Sequence, residues 1–249
     1  MREKQFEAFC ELLRAGLWEK DSYISPYDGI DYSDVYTISE EQSVLGLVTS
    51  GLESISDVVI SKDYVLQFIG ATLQIEQRNR EMNFFIERLI RSLRKNSVYA
   101  LLVKGQGLAQ CYNKPLWRAS GDIDLLLSED NYNKAKSILI SIATKVDDEA
   151  VYSKHLALTI DGWEVELHGT LRSGLWKRID IALDEVQGAI FYGGKVRSWR
   201  NDNTQIFLPA VDEDVVFVFS HILEHYFKEG IGLRQICDCA GYFGRIENN

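Results

Sequence analysis

Two aspartates one residue apart, Asp122 and Asp124, stand inside an otherwise apolar run, Ser-Gly-Asp-Ile-Asp-Leu-Leu-Leu. Successive side chains of a β-strand point to opposite faces. This spacing therefore puts both carboxylates on one face and Ile123, Leu125 and Leu127 on the other. Two carboxylates with Cα atoms about 7 Å apart on a rigid strand repel each other unless a cation lies between them, and their oxygen ligands suit Mg2+. Such a site completes its shell with water and substrate phosphates, and two ions can clamp both sides of a phosphoryl transfer. The apolar face is expected in the core and the acidic face on an open cleft.

A third acid is expected on a neighbouring strand. Trp-Glu-Val-Glu-Leu-His-Gly offers Glu164 and Glu166, alternating with Trp163, Val165 and Leu167, and either glutamate could face the pair. Upstream, Leu-Leu-Val-Lys-Gly-Gln-Gly is a strand that stops at glycines and turns into a helix, a geometry that offers backbone N–H groups to an anion. Gly105 and Gly107 suit a turn needing positive φ equally well. Lys104 and Arg118, close by in sequence, are candidates to neutralise phosphate charge.

His221 to His225 matches H-x-x-E-H, in which two histidines one turn apart bind zinc. A closed peptidase site needs another ligand, usually well downstream, and only 24 residues follow His225. The favoured reading is a packed helix with the histidines on its flank. His155 and His168 read as partners in local hydrogen bonds, with His168 on the same strand face as Glu166.

The elements that must position these groups follow from periodicity. Phe6, Phe9, Cys10, Leu13 and Leu17 make an amphipathic helix of Arg2 to Lys20, and a polar connector runs from Asp21 to Thr37. Ser39 reads as a helix start, and Lys62 to Lys95 as one long helix with Ile75, Met82, Phe85, Ile86, Leu89 and Leu93 as its stripe. From Val98 the pattern turns to short strands, with a helix capped by Ser128. Asp161-Gly162 joins two strands as a hairpin. Beyond Asp180 a short helix near Ile181 to Val186, an irregular stretch around Gly193-Gly194-Lys195 and a strand near Thr204 to Ala210 are expected. Two further helices follow.

The fold class predicted is α+β, with a mainly helical region over residues 1–96, a small mixed sheet with helices over 97–210 and C-terminal helices over 211–249. A formal net charge of -10 disfavours bulk nucleic-acid binding. No run approaches the roughly 18 apolar residues of a membrane helix, and no secretory signal opens the chain, so no membrane partner and a cytoplasmic location are expected. Cys10, Cys111, Cys237 and Cys239 carry no metal-type pair and read as reduced.

Taken together, the Lys-Gly-Gln-Gly turn, the arginine before Gly-Asp-Ile-Asp and the Glu-x-His strand resemble the polymerase-beta-like nucleotidyltransferase superfamily. Within it they are most similar to a bacterial branch of uncharacterised nucleotidyltransferases. The resemblance covers Val98 to the C-terminus. It implies that Asp122, Asp124 and Glu166 hold two Mg2+ ions and are catalytic, and that Lys104, Gly105, Gly107 and Arg118 bind the triphosphate of an NTP. It also implies transfer of a nucleoside monophosphate to an unidentified hydroxyl acceptor. Departures from the pattern are the displacement of the second glycine by Gln106, a long gap from Gly105 to Asp122, and glutamate in place of the commoner third aspartate. They leave a catalytically inactive binding module as the alternative. Gly-Arg-Ile-Glu-Asn-Asn closes in mid-pattern, so the C-terminal helical region is expected to be truncated.

Overall fold

The structure, a computed structural model, describes residues 3–27, 29–228 and 230–246. Helices α1 (Glu3–Trp18), α2 (Tyr32–Glu41), α3 (Leu45–Glu53) and α4 (Lys62–Lys95) come first. Strand β1 (Ala100–Val103), helix α5 (Gly105–Ala109), a 3-10 turn (Pro115–Trp117), strand β2 (Ile123–Leu127) and helix α6 (Glu129–Ile140) follow. Strands β3 (Lys145–Val146), β4 (His155–Ile160) and β5 (Trp163–His168) lead to helix α7 (Lys177–Phe191). The chain closes with β6 (Val196–Asn201), β7 (Thr204–Pro209), α8 (Val211–Lys228) and α9 (Leu233–Ile246). The fold is α+β. Among the described residues the strands form one mixed seven-stranded sheet in the order β3-β4-β5-β2-β1-β7-β6. No described helix is long and apolar enough to cross a membrane. Residues 247–249 of the C-terminal segment lie outside the described residues.

The chain forms two compact units. One comprises the residues up to Arg80 with Tyr112–Ala119 and Gly232–Gly241; the other comprises Glu81–Cys111, Ser120–Ile231 and the chain from Tyr242. In the helical unit Phe9, Leu12, Val35, Val48 and Phe68 make the core. Helices α1 and α3 meet backbone to backbone: a Cβ on Gly16 would lie 1.9 Å from the Leu47 carbonyl oxygen, and one on Gly51 2.0 Å from that of Leu12. Neither carbonyl can retreat without moving its helix. Gly51→Ala is therefore expected to destabilise this unit by about 1–3 kcal/mol, measured by urea denaturation.

Ser39 does not start a helix. It lies inside α2, where its Oγ donates to the Val35 carbonyl at 2.6 Å. Asp31 caps α2 instead, accepting from the Ser33 amide at 2.9 Å. An upstream aspartate in extended conformation satisfies an orphan amide that the serine would have had to take, and a serine within a helix can bond back to the preceding turn. The polar connector accordingly ends earlier than periodicity suggests.

In the sheet unit both faces are covered. Ile123, Leu125, Val165 and Leu167 pack with Met82, Phe85, Ile86 and Leu89 of α4 and with α6. Leu101, Val103 and Leu126, on the opposite face, pack with Leu183 and Ile190 of α7 and Phe217 of α8. Asp161 and Gly162 form the hairpin turn with φ of 50° and 81°. That turn sets the antiparallel register in which Ile160 pairs with Trp163 and His155 with His168. Strand β6 occupies the stretch expected to be irregular. Its Arg197, Ser198, Arg200 and Asn201 hide it from an apolar-alternation reading, as suits a charged sheet edge. Helix α7 is longer at both ends than expected.

Candidate active site

Strands β2 and β5 run parallel with Asp124 paired to Glu166 and Leu126 to His168, while β1 runs antiparallel to β2 with Val103 opposite Asp124. The register carries Asp124, Glu166 and His168 to one face. Asp122 immediately precedes β2, and its carboxylate joins those of Asp124 and Glu166, the three offering ligand oxygens within 4.8 Å of one another. Glu164, the other candidate third acid, is exposed.

The turn after β1 delivers the counter-charge. Lys104 has φ of 51°, a strained conformation for a residue with a side chain, and Gly105 follows at 33°. A Cβ on Gly105 would meet the Asp122 carbonyl at 3.1 Å, so glycine lets the turn pass close to β2. The Lys104 Nζ donates to Asp124 Oδ1 at 2.7 Å and stands 3.9 Å from Glu166 Oε2. Gly107 is buried against the Leu208 side chain and the Leu102 carbonyl. Arg118 belongs to the helical unit, where Asp238 accepts from its Nε at 2.8 Å and from a terminal nitrogen at 2.7 Å. The lysine and first glycine thus lie at the carboxylates, the second glycine packs within the fold, and the arginine is engaged by another acid.

Asp124 is the expected acidic-face residue, yet its side chain is only 1% exposed, because the same face carries Leu126 and the covering helices. It does not stand on an open cleft. Its Oδ1 takes both Lys104 Nζ and His168 Nε2, each at 2.7 Å, while its Oδ2 is buried with no hydrogen-bond partner among the described residues. An anionic oxygen buried in this way is costly unless a cation or donor reaches it.

The charges push one another. The Asp124 carboxylate, then burial, moves Asp122 up to about 6 despite Lys104. Burial opposes ionisation of Glu166, but bonds from His155 and His168 and the Lys104 charge hold it well below the usual carboxylate range. Burial likewise works against the Lys104 ammonium, and Asp124 and Glu166 still raise its pKa. His168 is raised above its ordinary value: burial and Lys104 oppose its proton, and Asp124 and Glu166 retain it. Lys104 thus brings a positive charge to the three carboxyl groups.

A cavity of about 480 Å³ opens beside the cluster, lined by Glu166, His155 and His168 from the sheet and by Phe217, His221 and His225 from α8. All four histidines of the chain meet there. His221 Nε2 lies 2.9 Å from His225 Nε2, so one ring donates to the other. Burial, then Lys104 and His225, push His221 down to about 2. The H-x-x-E-H pair gathers no third His, Cys, Asp or Glu ligand among the described residues.

His155, expected to make a local hydrogen bond, makes it to the third acid of the cluster. Its Nε2 reaches Glu166 Oε2 at 3.2 Å. Counting back from the Asp161-Gly162 turn places it opposite His168, so the hairpin motif was the signal that could have found it.

A mixed sheet thus gathers three carboxylates near a half-buried lysine, beside a histidine-lined cavity. The chain belongs to the uncharacterised nucleotidyltransferase family, whose profile matches residues 28–248. It is similar in structure to an antigenic nucleotidyltransferase-like protein from Paracoccidioides brasiliensis, at 13% identity and a TM-score of 0.44, with 66% of this chain and 76% of that chain covered. No curated protein sequence matches the chain.

Proposed function

We propose that the protein transfers a nucleoside monophosphate from an NTP to a hydroxyl acceptor and releases pyrophosphate. The observation that carries this reading is the convergence of Asp122, Asp124 and Glu166 in a chain of a nucleotidyltransferase family. The orphaned Asp124 Oδ2 and the mutual repulsion of Asp122 and Asp124 fit two Mg2+ ions held by these three residues. When bound, the ions would stabilise charge developing on the phosphoryl oxygens.

The chain's own groups divide the remaining work. The acceptor oxygen forms a bond to the α-phosphorus, the bond to the bridging oxygen breaks, and pyrophosphate leaves with that electron pair. The hydroxyl proton passes to the cluster. Asp122, Asp124 and Glu166 would together hold the ions, with Glu166 kept ionised by His155, His168 and Lys104. Lys104, which donates to Asp124, is the positive charge at the cluster available to triphosphate, and Gly105 keeps its turn close to Asp122. Gly107 supports the turn through packing. Arg118 stays paired with Asp238 in the helical unit.

One observation favours a second reading, a catalytically idle nucleotide-binding module: Lys104 already neutralises Asp124. Incubating the protein with a lysate, Mg2+ and each of the four NTPs labelled at the α-phosphate separates the two. Transfer predicts a labelled acceptor. Calorimetric NTP binding without labelling of any acceptor supports the idle module.

Mg2+ affinity should carry the signature of Asp122. Below about 6 its carboxyl is protonated, so the cation must displace a proton. Calorimetric titrations are expected to show affinity level above pH 7 and falling about tenfold per unit below 6.

A further inference from the structure

The histidines of the hairpin define a second ligand set. His155 Nε2 lies 3.2 Å from Glu166 Oε2, His168 Nε2 lies 3.4 Å from the same oxygen, and the three groups offer ligand atoms within 4.8 Å of one another. Tetrahedral bonds of roughly 2.0–2.1 Å to zinc place neighbouring ligand atoms about 3.3–3.4 Å apart. The two separations from Glu166 match that edge.

Chemistry and placement agree with the distances. Two imidazoles with one carboxylate suit a borderline ion such as Zn2+ or Co2+, whereas Mg2+ prefers oxygen throughout. The three side chains stand on one face of the β4–β5 pair, where the two-residue turn fixes His155 opposite His168. The residue opposite Glu166 is the small Ala157. All three line the cavity of about 480 Å³, which leaves room for water or a substrate oxygen at the ion's remaining positions. His168 Nε2 now contacts Asp124 Oδ1; an ion would take that nitrogen in place of its proton, leaving Asp124 Oδ1 with Lys104.

We propose that His155, Glu166 and His168 form a site for a first-row transition ion of the zinc class. It is separate from the all-carboxylate position of Asp122, Asp124 and Glu166 and shares Glu166 with it. Unlike the carboxylate position, it needs no nucleotide phosphate to complete its specificity.

The test uses metal alone. The full chain, stripped of metal and titrated with Co2+ without nucleotide, is expected to develop the visible d–d bands of a four- or five-coordinate ion at one equivalent. Zn2+ should displace it. His155→Ala and the gentler His155→Gln, both checked for folding by circular dichroism, should weaken Co2+ binding at least about tenfold. Asp122→Asn with Asp124→Asn should retain the bands. Weak, six-coordinate Co2+ absorption in the original protein overturns the site. So does loss of the bands in the double aspartate variant, or their survival in folded His155 variants. Because no NTP is present, a failed transfer assay leaves this result standing, and a failed Co2+ titration leaves the transfer reading to its own test.

Discussion

Replacing Asp122 with asparagine is expected to lower nucleotidyl transfer at least about 10³-fold while making the metal-free protein more stable at neutral pH. The activity loss follows from removing one of the three carboxylates proposed to hold the cations. In free-energy terms a 10³-fold loss is about 4 kcal/mol of transition-state stabilisation. The stability gain follows from linkage. Asp122 is raised from an ordinary 3.8 to about 6, so the folded state disfavours its ionised form. Stability from this group is fully present below the unfolded pKa and is lost as pH rises through about 6. A shift of about two units corresponds to at most about 3 kcal/mol, which asparagine would recover at pH 7 and not at pH 3. Thermal melts at both pH values, run in chelator beside the transfer assay, check the two halves together. Equal stability of the two proteins at pH 7 would mean that Asp122 is not held against the Asp124 charge. Undiminished transfer by the double variant Asp122→Asn with Asp124→Asn would end the catalytic reading.

That opposition between stability and activity is also why part of the site could be read from sequence. A chain does not place Asp122 and Asp124 at the start of an apolar strand for packing, and alternation alone puts them apart from Ile123 and Leu125. The long helix α4 was equally legible, because its apolar stripe repeats over many turns, and the Asp161-Gly162 turn declared its hairpin. What alternation cannot reveal is what covers the second face. Leu126 shares the face of Asp124, and α7 and α8 bury both, so the aspartate stands in the interior with a lysine and a histidine for company. Strand β6 escaped notice because edge residues have little apolar surface to place. His155 was visible only through register, a step that requires trusting the turn and counting outward from it.

Asp238→Ala is expected to destabilise the helical unit by about 3–5 kcal/mol. The Arg118 and Asp238 side chains are 8% and 5% exposed, and the carboxylate takes two guanidinium nitrogens and, at 2.7 Å, the Tyr112 hydroxyl. Removing it takes the paired carboxylate from a largely buried guanidinium, which costs far more than the net worth of the intact pair. The pairing lies 120 residues apart in sequence, and nothing local to either residue announces it. It also holds a segment in place: Asn79 Nδ2 donates to the Leu116 and Arg118 carbonyls, each at 2.8 Å, and Trp117 Nε1 donates to Glu76 at 2.8 Å. That segment leads through Ala119 directly into Ser-Gly-Asp-Ile-Asp. Urea denaturation should show the loss for Asp238→Ala. A smaller loss is expected for Arg118→Met combined with Asp238→Leu, where no charge is left buried alone. If the double variant proves as unstable as the single one, the loss does not come from an uncompensated guanidinium.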